Sequence, residues 1–282
     1  MLGAIIGDIT GSLWEFREEK PDFDFELFPK GASITDDTAL TLATASAIID
    51  KTNNYRFHYV DMGRRFINEH QEGIIEHNVG FGGMFVDWVK NYEHSPEPYK
   101  SWGNGAAMRV SPIGWAYNDH RKVQIEAIKS AKVTHNTEQG IKSAVAVAMS
   151  VYIARKGGTK KDIKSYLTDV IGYDLFFQTQ ILRDSYKFDV SAEGSVPVAM
   201  HAFLTSNSFE ETIRMAQYIG GDSDTTGAIA GAVAEAFYEI EPELQEEAEA
   251  ILKTHVPHLA EIYSSFKEKH GFKKSNNFKR WW

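Results

Sequence analysis

Apolar positions along this chain recur at three- and four-residue intervals, and runs of strict alternation are scarce, so the pattern predicts helices and few strands. Residues 36–50, DDTALTLATASAIID, carry Ala39, Ala43 and Ala47 at a spacing of four, a narrow stripe for close helix packing. Residues 137–156 contain AVAVAMSVYIA, long and apolar enough for a central buried helix. Residues 223–239 set Gly227, Gly231 and Ala234 on one face, a second close-approach surface. Further helices are predicted near 55–70, 105–118, 120–132, 159–170, 190–205, 208–218 and 243–255. The stretches NYEHSPEPYKSWGNG, RKGGTKK and YIGGDSD punctuate them as loops. No linker tract divides the chain and no repeat is visible. The expectation is one compact all-α domain over 1–270, followed by a basic, aromatic tail, 271–282, that is frayed or loosely docked as termini commonly are.

Composition changes the picture by exclusion. A length of 282 residues with 43% hydrophobic and 24% charged residues is ordinary for a globular chain. The net charge of −9 argues against general nucleic-acid binding, which needs clustered Lys and Arg. The absence of cysteine removes disulfides, zinc–thiolate sites and thiol nucleophiles, so any metal must sit on oxygen or imidazole. The opening MLGAIIGDITGSLWEF lacks a basic leader and is interrupted by Asp8, so no signal peptide is expected. No apolar run reaches the roughly 18 residues of a membrane span. The chain reads as cytoplasmic.

Three acidic groups stand out. Thr35-Asp36-Asp37-Thr38 directly precedes the Ala-rich helix. One Asp would serve capping and the helix dipole, and a second adds like-charge repulsion unless a cation is near. Gly220-Gly221-Asp222-Ser223-Asp224-Thr225 opens the small-residue helix, and its alternate carboxylates can turn toward one point. Such oxygen density suits magnesium or manganese, while the spacing of a calcium-binding EF-hand is missing. In the opening segment Gly3, Gly7 and Gly11 repeat every four residues, so this helix can lie tightly on another backbone, with Asp8 and Glu15 two turns apart on one face. Glu15 is a further candidate ligand, and Asp8 a residue that orients its neighbours. If Glu15, Asp36, Asp37, Asp222 and Asp224 converge, they cannot all be charged without cations. A pair of ions about 3.5–4 Å apart is the usual chemical answer.

Five segments in order resemble the ADP-ribosylglycohydrolase family: GDITGSLWEF, ITDDTALTLA, GNGAAMR at 103–109, VTHN at 133–136 and GGDSDTTGAIAG at 220–231. The resemblance implies an all-α domain with a binuclear metal cleft. It implies two Mg2+ or Mn2+ ions held by Thr35, Asp36, Asp37, Asp222, Asp224 and Thr225, with Glu15 at the metal centre. It implies that Ser101, Trp102, Gly103, Asn104 and Gly105 hold the diphosphate and adenosine end, and that Gly82, Met108 and His135 belong to the same substrate pocket. The glycines would free the backbone to present N–H groups to a pyrophosphate, and Trp102 could stack on adenine. For His135 the plain alternative is a neighbour of the next helix's N-cap.

The implied activity is hydrolysis of the glycosidic bond between ADP-ribose and a modified protein or small molecule. Glu15 and Asp37 are the candidate general bases. The rival readings are a non-catalytic ADP-ribose-binding or toxin-immunity protein, and a two-metal hydrolase of nucleotide phosphoesters. One departure concerns linkage: the arginine-specific bacterial enzymes of the family carry an aspartate where Glu76-His77-Asn78-Val79-Gly80-Phe81-Gly82 has Asn78. Asn78→Asp is therefore expected to raise hydrolysis of arginine-linked ADP-ribose and to add a limb to its pH profile. Efficient wild-type hydrolysis of that linkage, indifferent to Asn78→Ala, would overturn the reading.

Overall fold

The computed structural model describes residues 1–72, 79–271 and 273–282. Among them the chain forms fifteen α-helices and no strand, with one isolated antiparallel bridge between Gly103 and Ser191. The first four are α1 (Leu2–Gly11), α2 (Asp36–Ile49), α3 (Tyr55–Gln71) and α4 (Gly83–Lys90). Two short helices, α5 (Gly105–Met108) and α6 (Ser111–Ala116), lead to α7 (His120–Lys132) and the long α8 (Glu138–Arg155). After α9 (Lys160–Ser165) and a π-helical turn at Tyr166–Ile171 come α10 (Thr179–Ser185) and α11 (Ala192–Thr205). The chain closes with α12 (Phe209–Ile219), α13 (Ser223–Phe237), α14 (Pro242–His255) and α15 (Pro257–His270).

Helix α13 is the axis of the core. Ser223 to Ala236 are all buried, and α1, α8, α11 and α12 pack around it. Its small residues make this possible, as the glycine spacing predicts. A Cβ on Gly3 would lie 2.2 Å from the Gly231 carbonyl oxygen, one on Gly7 2.0 Å from that of Gly227, and one on Gly11 2.4 Å from that of Ser223. The two helices therefore run antiparallel with their backbones in direct contact. Glu235 of α13 accepts hydrogen bonds from the Leu2 and Gly3 amides, at 3.2 and 3.0 Å, and so satisfies first-turn donors of α1.

Most predicted helices stand within two residues of their expected limits, and the differences have local causes. The expected helix over 105–118 is broken at Arg109–Val110. Pro112 in the first turn of α6 has no amide proton, and its ring excludes continuation from Met108. The end of the predicted helix over 159–170 relaxes into the π-helical turn, which Gly172 stops at φ +82°. Helices α4 and α15 were not expected, although Phe85, Trp88 and Val89 in one and Leu259, Tyr263 and Phe266 in the other form buried stripes at helical spacing. Helix α10 buries only Leu182, too little for a periodic signal. The tail lies against the domain: Trp281 stacks on His120 at 4.3 Å, and Ser275 donates its amide to the Arg155 carbonyl at 2.8 Å. No helix among the described residues is long and apolar enough to cross a membrane.

The glycine seam carries a direct test. Gly7→Ala should cost about 3 kcal/mol, the upper end for overpacking, because backbone and not a flexible side chain must move. Gly82→Ala, whose Cβ would meet nothing within 4 Å, should leave stability within about 0.5 kcal/mol. Urea denaturation reads both, and equal midpoints for Gly7→Ala and wild type would refute the seam.

Candidate metal centre

The seam aligns helix ends. Where α1 ends, Gly11 lies on Ser223 and Asp224 at the start of α13. Three residues before that end, Asp8 points across to the start of α2. Its carboxylate accepts from the Thr35 amide at 2.9 Å, the Thr35 hydroxyl at 2.7 Å and the Thr38 amide at 3.0 Å. Thr35 itself is the N-cap and accepts from the Asp37 amide at 3.3 Å. In the first turn of α2 the Asp37 and Thr38 amides are thus served by Thr35 and Asp8, and that of Asp36 by the Val79 carbonyl at 2.6 Å. Asp36 and Asp37 are not consumed as caps, and both line a cavity of about 590 Å³.

The other two acidic residues come from α13. Gly220 and Gly221, at φ +78° and +95°, turn the chain so that Asp222 becomes the N-cap and Asp224 falls in the first turn. Asp222 accepts from the Asn104 side-chain amide at 2.6 Å, and the same amide reaches Ser195 Oγ at 2.9 Å. Thr225 donates its hydroxyl to Asp37 at 3.1 Å and so ties α13 to α2. Glu15 arrives differently from expectation. Helix α1 stops at Gly11, so Glu15 does not share a helix face with Asp8 but sits on the turn that follows, where Phe16 adopts φ +61°.

Ligand atoms of Glu15, Asp222 and Asp224 lie within 4.8 Å of one another. Asp36, Asp37 and Thr225 line the same cavity, whereas Thr35 does not, its hydroxyl being engaged with Asp8 and the Asp37 amide. One oxygen each of Asp37 and Asp224 is buried with no hydrogen-bond partner among the described residues. Burial, followed by the charge of Asp224, pushes the Asp8 carboxyl up to about 7 and that of Glu15 up to about 8. The same two causes hold Asp36, Asp37 and Asp222 well above the usual carboxylate range. Partnerless buried carboxylate oxygens among mutually repelling acids are what a divalent cation would satisfy, so the donor set fits a hard metal ion.

The cavity continues from the acids to the other predicted residues. Gly82, Ser101, Trp102, Gly103, Asn104, Gly105, Met108 and His135 all line it. The segment 101–105 is pinned from two sides. Ser101 donates its amide to the Thr134 carbonyl at 3.2 Å, and Thr137, the N-cap of α8, donates its hydroxyl to the Ser101 carbonyl at 2.7 Å. Asn104 donates its amide to the Val190 carbonyl at 2.9 Å. Trp102 lines the cavity and is 55% exposed. The sequence reading did not single out Phe16, Met84, Tyr99, Arg109 or Phe188, which line it too. Arg109 ends the GNGAAMR segment and was within reach of that reading. The others are ordinary apolar residues until folding places them. Glu76, His77 and Asn78 lie outside the described residues.

The sequence profile of the ADP-ribosylglycohydrolases matches residues 1–270. The chain is 26% identical to ADP-ribosylhydrolase ARH3 of Gallus gallus, over 90% of this chain and 89% of that protein. It is 24% identical to ADP-ribosyl-[dinitrogen reductase] glycohydrolase of Rhodospirillum rubrum, over 85% and 84%. A solved ADP-ribosylglycohydrolase-related protein complex shares the fold, with a TM-score of 0.64 at 22% identity over 94% of this chain and 97% of that one.

The raised carboxyls set a pH dependence. The folded protein favours their protonated forms, so their contribution to stability is full below about pH 4 and is lost as pH rises through about 7 to 8. A bound divalent ion replaces the protons and removes that loss. Melting temperature in chelator is expected to fall short of that in saturating Mg2+ or Mn2+ by a gap that widens from pH 5 to pH 8. Parallel curves with and without the ion would count against a metal at this cluster.

Proposed function

The chain belongs to the ADP-ribosylglycohydrolase family, and on that premise we propose that it hydrolyses the glycosidic bond joining ADP-ribose to a modified acceptor, with two Mg2+ or Mn2+ ions as cofactors. The observation that carries the reading is the continuity of one cavity, from the cluster of Glu15, Asp222 and Asp224 to the pinned loop at Gly103–Gly105. Such a cavity takes the distal ribose at its acidic end and the diphosphate and adenosine at the other.

Asp36, Asp37, Asp222, Asp224 and Thr225 are the proposed metal ligands, with Glu15 beside them; Thr35, whose hydroxyl donates to Asp8 and accepts from the Asp37 amide, would join them through its second lone pair. When bound, the ions would supply Lewis acidity and fix the ribose hydroxyls. The protein's own groups do the rest. Asp8 and Thr35 hold the first turn of α2, and Asn104 holds Asp222. Cleavage at an anomeric carbon develops positive charge on the sugar, which the surrounding carboxylates stabilise. Glu15 or Asp37 accepts the proton of the attacking water, as general base. Gly103 and Gly105 let the diphosphate approach the backbone, and Trp102 offers its ring to adenine.

A panel of ADP-ribosylated substrates (arginine, serine, O-acetyl and nucleobase linkages) tests the reading. Turnover is expected on at least one, to be lost in chelator, and to fall on the order of 100-fold or more in Asp224→Ala. Tight ADP-ribose binding with no turnover on any linkage would refute the hydrolase and favour a binding protein.

A further inference from the structure

Arg109 is 1% exposed and lines the cavity, yet no carboxylate pairs with it among the described residues. Its guanidinium lies over the ring of Tyr59, 4.1 Å from the centroid. Nη2 donates to Thr134 Oγ1 at 2.7 Å and to the Ser130 carbonyl at 3.4 Å. Thr134 is itself fully buried, and its Oγ1 stands 2.8 Å from His135 Nδ1.

The direction of these bonds follows from the proton inventory. A guanidinium only donates, and a threonine hydroxyl has one proton. Thr134 accepts from Arg109, so its own proton is available to Nδ1. The Tyr99 phenol stands beside this chain, and burial pushes it up to about 12, so it brings no negative charge to the pair. Burial, and then the charge of Arg109, hold His135 well below its ordinary value, so the ring is neutral and carries one N–H. With Nδ1 accepting, that proton sits on Nε2. The ring edge bearing Nε2 faces the loop: a Cβ on Gly105 would lie 3.1 Å from both Cε1 and Nε2. Gly140 packs behind, where a Cβ would meet that of His135 at 2.6 Å. The opposite tautomer would present a lone pair to an anion.

We propose that Arg109 and Thr134 are positioning residues that fix His135 as the Nε2–H tautomer, so that it donates a hydrogen bond to a phosphate oxygen of the ligand over Gly103–Gly105. The identity of that ligand as ADP-ribose rests on the proposed function, whereas the tautomer does not.

Long-range proton–nitrogen correlation on the intact protein labelled with 15N-histidine reads the tautomer directly. Wild type is expected to show His135 as Nε2–H. Thr134→Val should shift the ring toward Nδ1–H and weaken ADP-ribose binding about tenfold, the equivalent of one hydrogen bond. Thr134→Ser should restore both. An Nδ1–H ring in wild type, or an unchanged tautomer in Thr134→Val, would overturn the proposal without any need for the variant to bind ligand. Nε2–H in wild type with no ADP-ribose binding would support the relay and overturn the ligand reading instead.

Discussion

The contact of α1 with α13 at the level of bare backbone is the constraint on which the rest depends. Three glycines of one helix lie on carbonyls of the other, with no room for a Cβ. Two helices at that distance have little freedom to slide. The antiparallel register therefore sets where α1 ends relative to where α13 begins. Glu15 follows the first end and Asp222 and Asp224 occupy the second, so close packing deep in the core fixes the separation of three carboxylates at the surface of a cavity.

Hydrogen bonding then decides which acids remain available. Asp8 is buried but fully employed on Thr35 and Thr38, and with the Thr35 hydroxyl it caps α2. That division of labour leaves Asp36 and Asp37 free of capping duty at the helix start. Concentrating like charges in a buried place is costly, and the rise of the Asp8 and Glu15 carboxyls to about 7 and 8 expresses that cost. A fold that maintains such a cluster gains stability when a cation enters it, so packing and cofactor binding are coupled through electrostatics.

At the other end of the cavity the groups are neutral or cationic, and rigidity comes from loops tied to one another. Thr137 joins the start of α8 to Ser101, and Val190 holds Asn104. Asn104 links the two ends, since its side chain reaches Asp222. Displacement of the loop would therefore be felt at the acids.

The sequence by itself determined the helical class, most helix limits, the glycine faces of α1 and α13, and the identity of the clustered acids, because each is written locally as a period, a cap or a run of neighbouring residues. Helices α4 and α15 were written there too, in short apolar stripes. The break at Pro112 was a local signal, but the apolar run across 105–118 masks it. Tertiary structure alone decided that Asp8 serves α2, that Glu15 reaches the acids from a turn and not from a helix face, and that Arg109, Thr134 and His135 form a chain. Those outcomes depend on distances between segments far apart in sequence, and such distances are set by how closely helices can pack, which no local pattern records.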